Sequence, residues 1–338
     1  MSSTRQQERA KMAPRPSNAP LHGSDADHGN DASAQNTGSY EKSQSRKRGI
    51  IGFMMAMPPI VVLVLFVGAP VVLAILFSLG YTGGLNQIAA EIGTNVHQGS
   101  PLSIGAYLDI FQDSRFIRDL LVTLVVTIVG TAAVILITTS IAVFMRMSRS
   151  KAGGLLAGLA VIPLFIPVVI ASWANLIFYQ PNGFLRSLFA QFGIQAPIWG
   201  FTTIGVIIAS VWVNLPFSML MTISGFQSVP DDLIDGARDA GASTFRIVCE
   251  ILLPLARPQM LIATTLTAIG ILGQFTVPYF IGPNAPTMLG VDIAKYYQSF
   301  NRPQQSVAIA VVMFIIGIGI AVTYIVTSVR GDDDAAKE

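Results

Sequence analysis

The sequence predicts an all-α polytopic membrane protein with six transmembrane helices and a cytoplasmic loop between the fourth and fifth. Three observations support this. Of 338 residues, 52% are hydrophobic and only 12% charged, with a mean hydropathy of +0.59. An average soluble domain carries about 25% charged residues, so this chain lacks the polar side chains to cover a water-facing surface. Beyond residue 48 the charges are separated by long uncharged intervals: 49–90, 120–145, 152–185, 187–230, 258–291 and 303–329. Each exceeds the roughly 20 residues an α-helix needs to cross about 30 Å of hydrocarbon. None shows the alternation of a barrel strand, and a lipid-exposed backbone must satisfy its own hydrogen bonds, so the spanning element is a helix.

Residues 1–48 come first and differ in kind. They are rich in Ser, Asn, Gln, Asp, Lys and Arg and cannot bury enough apolar surface to order themselves, which predicts a disordered cytoplasmic tail ending in Arg46-Lys47-Arg48. The late basic cluster and the length of the next apolar run argue against a cleaved signal peptide. The six helices are then placed near 51–79, 120–145, 153–179, 200–225, 259–281 and 305–329. In each interval the many Leu, Ile, Val and Phe contribute about −0.3 to −0.6 kcal/mol apiece at mid-membrane, against roughly +3 for a single Lys, Arg or Asp. Pro58, Pro59, Pro70, Pro163, Pro167, Pro216 and Pro278 fall inside the runs and predict kinks or broken turns.

Lys and Arg set the orientation. Arg46, Lys47, Arg48, Arg146, Arg149, Lys151, Arg238, Arg246, Arg257, Arg330 and Lys337 fall on one side, and Arg115, Arg118, Arg186, Lys295 and Arg302 on the other. The bias puts both termini, including a short tail at 331–338, in the cytoplasm.

Several function classes are excluded at this level. A net charge of +2 gives no electrostatic footprint for nucleic acid. The single cysteine, Cys249, rules out an internal disulfide and a multi-cysteine metal site. His22, His28 and His97 lie in polar stretches without ligand spacing and read as solvated loop residues. No nucleophile, base or metal constellation suggests an enzyme.

The segment 228–258 is the most informative. It predicts two short helices joined by a turn: Ser228 and Asp231 form a capping-box-like start, and Asp231 and Asp232 suit the positive end of the helix dipole. Gly241 is placed to close the first helix in the left-handed conformation. Ser243 caps the second, whose apolar face is Phe245, Ile247, Val248, Ile251 and Leu252, and Pro254 ends it. The residues alone fit a loop that folds onto its own bundle as well as one that docks a partner.

The spacing Asp235-Gly236-Ala237, three residues, Gly241, nine residues, Ile251, one residue, Leu253-Pro254 resembles the "EAA" loop of ABC-importer permeases, which reads Glu-Ala-Ala, Gly, Ile and Leu-Pro at the same intervals. Asp235 stands for Glu and Gly236 for Ala; charge and small size are kept, while Gly weakens the helix by up to about 1 kcal/mol. The resemblance covers roughly residues 50–330. It implies a six-helix permease domain over 49–330, in a bacterial inner membrane. The loop would couple to ATPase through Asp235, Ala237, Gly241, Ile251, Leu253 and Pro254, with Arg238 and Asp239 as further contacts. It also implies two separate ATPase subunits carrying ATP and Mg, a second permease of a different sequence, and an extracytoplasmic solute-binding protein. This chain has no phosphate-binding loop of its own, since no lysine follows a glycine.

Polar and aromatic residues within apolar helices are candidates for a solute path: Trp173, Asn175, Trp212, Asn214, Gln274 and Phe275. Asn and Gln serve equally as glue between helices, and Trp as an interfacial anchor. Ala237-Arg-Asp-Ala-Gly-Ala-Ser243 and Gly273-Gln-Phe-Thr-Val-Pro-Tyr-Phe-Ile-Gly282 resemble the polyamine, iron and opine branch, so a polyamine-like solute is expected first and a sugar second. Against a dication stands the lack of a carboxylate in any of the six helices. The rival reading, an ion-coupled carrier or channel, lacks the clustered ionisable or polar groups at mid-membrane that such proteins need.

Overall fold

The computed structural model describes residues 53–98, 102–148, 151–284 and 286–335, with backbone alone for 329–335. The predicted 1–48 tail, its basic cluster, His22, His28, Arg149 and Lys337 lie outside the described residues. The chain divides into two units, residues 1–68 and 69–338. In the first, residues 53–68 are helical with exposed apolar side chains and a π-turn at Val64–Gly68.

The described residues of the second unit are helical throughout, without strands: α1 Ala69–Ser78, α2 Gln87–Ile92, α3 Gly105–Gln112, α4 Ser114–Met147, α5 Ala152–Val161, α6 Val168–Tyr179, α7 Phe184–Ala190, α8 Thr203–Gln227, α9 Asp231–Asp239, α10 Thr244–Ile247, α11 Leu253–Leu272, α12 Thr276–Ile281, α13 Leu289–Gln298 and α14 Pro303–Ala335. Five helices are long and apolar enough to span a bilayer: Phe53–Ser78, Ser114–Met147, Thr203–Gln227, Thr244–Leu272 and Pro303–Ser328. A bent pair, Ala152–Phe165 and Val168–Ala190, makes a sixth if counted as one span.

Three boundaries correct the sequence reading. The helix expected at 153–179 is broken: α5 passes into a 3-10 turn at Ile162–Phe165, and the chain bends by 110° before α6. Pro163 and Pro167 each lack the N–H an α-helix needs here, which explains the break. The helix expected from 120 starts at Ser114, because Asp113 caps it by accepting from the Arg115 N–H at 2.9 Å. It therefore contains Asp119, and the expectation of six carboxylate-free helices fails. The helix expected at 259–281 begins instead inside the loop and ends at Leu272, with α12 as a separate turn after Gly273. Pro254 does not end it. A π-turn at Val248–Leu252 precedes Pro254 and absorbs the missing i→i−4 bond, so the helix runs on. The C-terminal helix also continues through 331–335.

The centre of this unit is a trio, α4, α8 and α11. The inward stripe of α4 carries Thr123, Thr127, Thr131 and Thr138 beside Gly130 and Ala142, small residues that let helices approach without a large apolar driving force. Thr123 and Thr127 return their hydroxyl protons to the carbonyls of Asp119 and Thr123, four residues back, and Thr222 of α8 donates to Thr138 across the interface at 3.3 Å. At Gly225 α8 lies close against α11: a Cβ there would sit 2.8 Å from the Gln259 Cβ. The 228–258 loop lies at one end of the trio. At the far end, α14 packs against α1, α3, α11 and α13.

Candidate functional site

The loop is built from its sequence in a traceable way. Helix α9 opens after Pro230, and Ser228 does not cap it; the Ser228 hydroxyl donates instead to the Gly225 carbonyl at 2.8 Å. Proline already fixes the entry dihedral and needs no amide partner. The helix closes when Gly241 takes φ +82°, which lets its N–H reach the Arg238 carbonyl and the Ala242 N–H reach the Ala237 carbonyl, both at 2.9 Å. That double bond pattern satisfies the last carbonyls of the helix. The Ser243 side chain then caps α10 by accepting from the Arg246 N–H at 3.3 Å.

Buried Ile234, Ile247, Leu252 and Ala256 pack on Ala142 of α4 and on Phe226 and Val229 at the end of α8, with Ala237, Ala242, Ile251 and Leu253 partly buried around them. Each fully buried large side chain of this kind contributes about 1.5–3 kcal/mol. Arg146, at the last turn of α4, donates to the Asp231 carboxylate and to the Val229 carbonyl, tying the loop to the bundle. Sequence reasoning used Arg146 only to count charge and so missed this contact, because its partners lie more than 80 residues away.

The predicted coupling residues therefore divide. Ala237, Ile251 and Leu253 face inward and seat the loop. Asp235, Arg238, Asp239, Gly241 and Pro254 are exposed, with Arg238 donating to Asp235 at 3.0 Å. Phe245, expected on the apolar face, is 78% exposed instead, because α10 is a single turn whose inward position is taken by Ile247. Arg246 donates to Glu250 at 2.8 Å beside it, and Cys249 is exposed too. A packed side and an exposed side thus occur together on one segment.

The path candidates form two groups. Gln274, just after α11, accepts from the Ser210 hydroxyl of α8 at 2.6 Å, and Asn214 one turn along donates to the Ser210 carbonyl at 2.8 Å. The Asn214 Oδ1 lies against Gly270, where a Cβ would approach to 3.0 Å. Trp173 of α6 and Phe275 belong to a chain of rings: Trp173 to Phe280 at 5.7 Å, Phe280 to Tyr279 at 5.2 Å, and Tyr279 stacked on Phe275 at 5.1 Å. Trp173, Phe275 and Tyr279 are exposed. Asn175 donates to its own helix at the Ala171 carbonyl, 2.9 Å, and Trp212 is half-buried on α8.

The far end holds a polar network the sequence did not reveal. The Gln304 amide donates to the Phe77 and His97 carbonyls, and its oxygen accepts the His97 N–H at 2.7 Å. Gln305 donates to the Asn95 carbonyl and to Asp109, which also meets the His97 ring at 2.8 Å. His97 thus lies in a loop with 38% of its side chain exposed, as expected, but is paired. Burial alone would raise the Asp109 carboxyl, but the hydrogen bonds from His97 and Gln305, with the charges of His97 and Arg302, outweigh it and hold Asp109 below the ordinary aspartate value.

A family model described as the binding-protein-dependent transport system inner membrane component matches residues 102–330, well over half of the chain. Among curated relatives, the trehalose/maltose transport system permease protein MalF of Thermococcus litoralis is 25% identical over 81% of this chain and 92% of its own length. The trehalose transport system permease protein SugA of Mycobacterium tuberculosis is 26% identical over 83% and 89%. The spermidine/putrescine transport system permease protein PotB of Haemophilus influenzae is 28% identical over 60% and 72%. A chain of a bacterial alginate ABC transporter, solved with an alginate pentasaccharide-bound periplasmic protein, has a similar fold, with a TM-score of 0.67 at 16% identity over 83% of this chain and 94% of that one. Relatives named for sugars are thus at least as close as those named for polyamines, and the comparisons do not separate the two branches, between which the 237–243 and 273–282 segments favour the second.

Proposed function

We propose, because the chain belongs to the binding-protein-dependent transport system inner membrane component family, that it is a transmembrane permease subunit of an ATP-driven importer and forms half of a path for a small organic solute. The observation that carries this is the two-sided 228–258 segment: an apolar side seated on α4 and α8, and an exposed side bearing Asp235, Arg238, Asp239, Phe245 and Arg246. In this reading the exposed side docks in a cytoplasmic ATPase that holds ATP and Mg. Closure of two such subunits moves the loop as a rigid body, and α11, continuous with the loop, carries the motion into the bundle. A second permease subunit completes the path, and an extracytoplasmic binding protein delivers the solute.

For the cargo we favour a neutral, hydroxyl-rich solute. The partly buried Asn214 and Gln274 offer hydrogen-bonding groups, with the buried Ser210 holding them in place, and the rings of Trp173, Phe275 and Tyr279 offer flat apolar faces. The two buried carboxylates in or beside the helices, Asp119 and Asp292, are each only 5% exposed and so offer little to a charged solute. A polyamine is the second reading, supported by the same exposed rings, which attract ammonium groups by about 0.5–2 kcal/mol each.

Uptake of labelled trehalose and of labelled putrescine into proteoliposomes holding the complete complex tests both levels. ATP-dependent trehalose uptake is expected. Putrescine uptake alone would replace the cargo reading, and uptake driven by an ion gradient without ATPase would overturn the importer reading.

A further inference from the structure

Two carboxylates meet inside the far end of the second unit. Asp119 of α4 and Asp292 of α13 are each 5% exposed, and their side chains lie within hydrogen-bonding reach of one another. Two buried ionised carboxylates side by side would repel, with Lys295 as the opposing charge. Asp119 is also engaged through its other interactions: its Oδ1 accepts the Thr287 backbone N–H at 2.8 Å, and its carbonyl accepts the Thr123 hydroxyl at 2.7 Å. Thr123 in turn accepts the Leu289 N–H at 2.9 Å. Two backbone amides of the segment leading into α13 are thus fixed to one turn of α4. The Asp292 Oδ2, by contrast, has no donor directed at it, although it is buried. A buried oxygen of this kind wants either a donor or a proton of its own.

We propose that the buried Asp292 carries a proton and donates it in a hydrogen bond to the Asp119 carboxylate, and that this bond clamps the 286–292 segment onto α4.

The surrounding charges favour that occupant. Helix α13 lies outside the candidate spans. Burial first, then the hydrogen bond and charge of Asp119, and the charge of Asp113, push the Asp292 carboxyl up to about 8; Lys295 acts in the opposite sense. Lys295 is partly committed elsewhere, since its ammonium donates to the Asn284 carbonyl at 2.8 Å. At the start of α4, Asp113 accepts the Tyr296 hydroxyl proton at 2.8 Å, and Arg302 precedes α14, whose uncharged stretch brings no further charge. A polar cleft of about 280 Å³ lined by Asp109, Asp113, Tyr296 and Arg302 reaches Tyr296, one helical turn from Asp292. Because the carboxyl is raised in the folded protein, the clamp is fully present at acid pH, below the unfolded aspartate value, and is lost as pH rises through about 8.

The test uses the assembled transporter in lipid nanodiscs and does not depend on the cargo. Infrared difference spectra should show the carbonyl stretch of a protonated carboxylic acid near neutral pH, lost on raising the pH and missing in both Asp292→Asn and Asp119→Asn. Hydrogen exchange at the Thr287 and Leu289 amides, corrected for intrinsic rates, should accelerate at least tenfold between about pH 6 and about pH 9 in the wild type. It should stay flat in Asp292→Asn, whose amide donates to Asp119 at every pH. A carboxylic-acid band that persists in both variants overturns the proposal. So does a pH-independent wild type, or alkaline protection restored by sodium ions, which would make the occupant a metal cation.

Discussion

At the loop end of the bundle, the 228–258 segment rests on apolar side chains, with Arg146 as its main polar tether, and it leaves a charged face and Phe245 open. At the far end the same bundle is closed by side-chain hydrogen bonds: Gln304, Gln305, His97, Asp109, Asp119 and Thr123 hold carbonyls and amides of segments far apart in sequence. Apolar packing is non-directional and tolerates a rigid-body tilt, whereas a set of directed hydrogen bonds is satisfied in one arrangement and lost in others. The difference suits an element that is pushed at one end and a closure that is made or broken at the other.

Substitutions should expose that contrast, most strongly at the far end. Gln304→Leu leaves the His97 carbonyl and amide without the Gln304 partner and takes one of two donors from the Phe77 carbonyl, which keeps the Gly80 N–H, at about 1–3 kcal/mol for each group left unpaired. Thermal unfolding of the purified subunit should show a larger loss for this change than for any substitution in the loop. Leu252→Ala, at a fully buried position under the loop, should cost about 2–4 kcal/mol and lower ATP-driven uptake, while ATP hydrolysis by the complex persists uncoupled. Two glycines in the loop separate backbone need from empty space. Gly241→Ala meets no neighbour but is strained at φ +82° and should destabilise by about 1 kcal/mol, whereas Gly236→Ala, equally open and helical, should stabilise by about as much. Denaturant midpoints of the two variants should move in opposite directions. Asp231→Asn should change stability by less than about 1 kcal/mol, since the carboxylate partner of Arg146 is 75% exposed.

The mildest effect should be in pH. Because Asp109 is held below its ordinary value, its contribution is present above about pH 4 and is lost as the pH falls below that. Proteolysis or hydrogen exchange at residues 93–97 should therefore rise in acid, opposite in sense to the 286–292 segment. Equal acid sensitivity of both segments would contradict the separate roles given to Asp109 and Asp292.

The long apolar spans are legible in the sequence because lipid imposes a length and forbids charge, and both are visible in one dimension. Gly241 is legible for a similar reason: a single backbone conformation demands it. What cannot be read there is set by partners distant in sequence or by local backbone adjustment. Pro254 reads as a helix end until the π-turn before it accommodates the missing amide, and Phe245 reads as inward through a periodicity that a single-turn helix does not sustain. Asp119 reads as a boundary charge outside a helix that in fact begins five residues earlier, and its worth lies in Thr287 and Asp292, more than 160 residues on. The candidate path residues are legible as types but not as groups; Ser210, which gathers Asn214 and Gln274, carries no signal of its own in sequence.

Coupling requires the loop to face a cytosolic ATPase, and the chain carries its own reporter there. Cys249 is the only cysteine and is exposed on the loop. A membrane-impermeant maleimide should leave it unmodified in intact cells, modify it in inside-out vesicles stripped of ATPase, and be blocked again when ATPase is restored. Modification in intact cells, or labelling indifferent to the ATPase, would contradict the account.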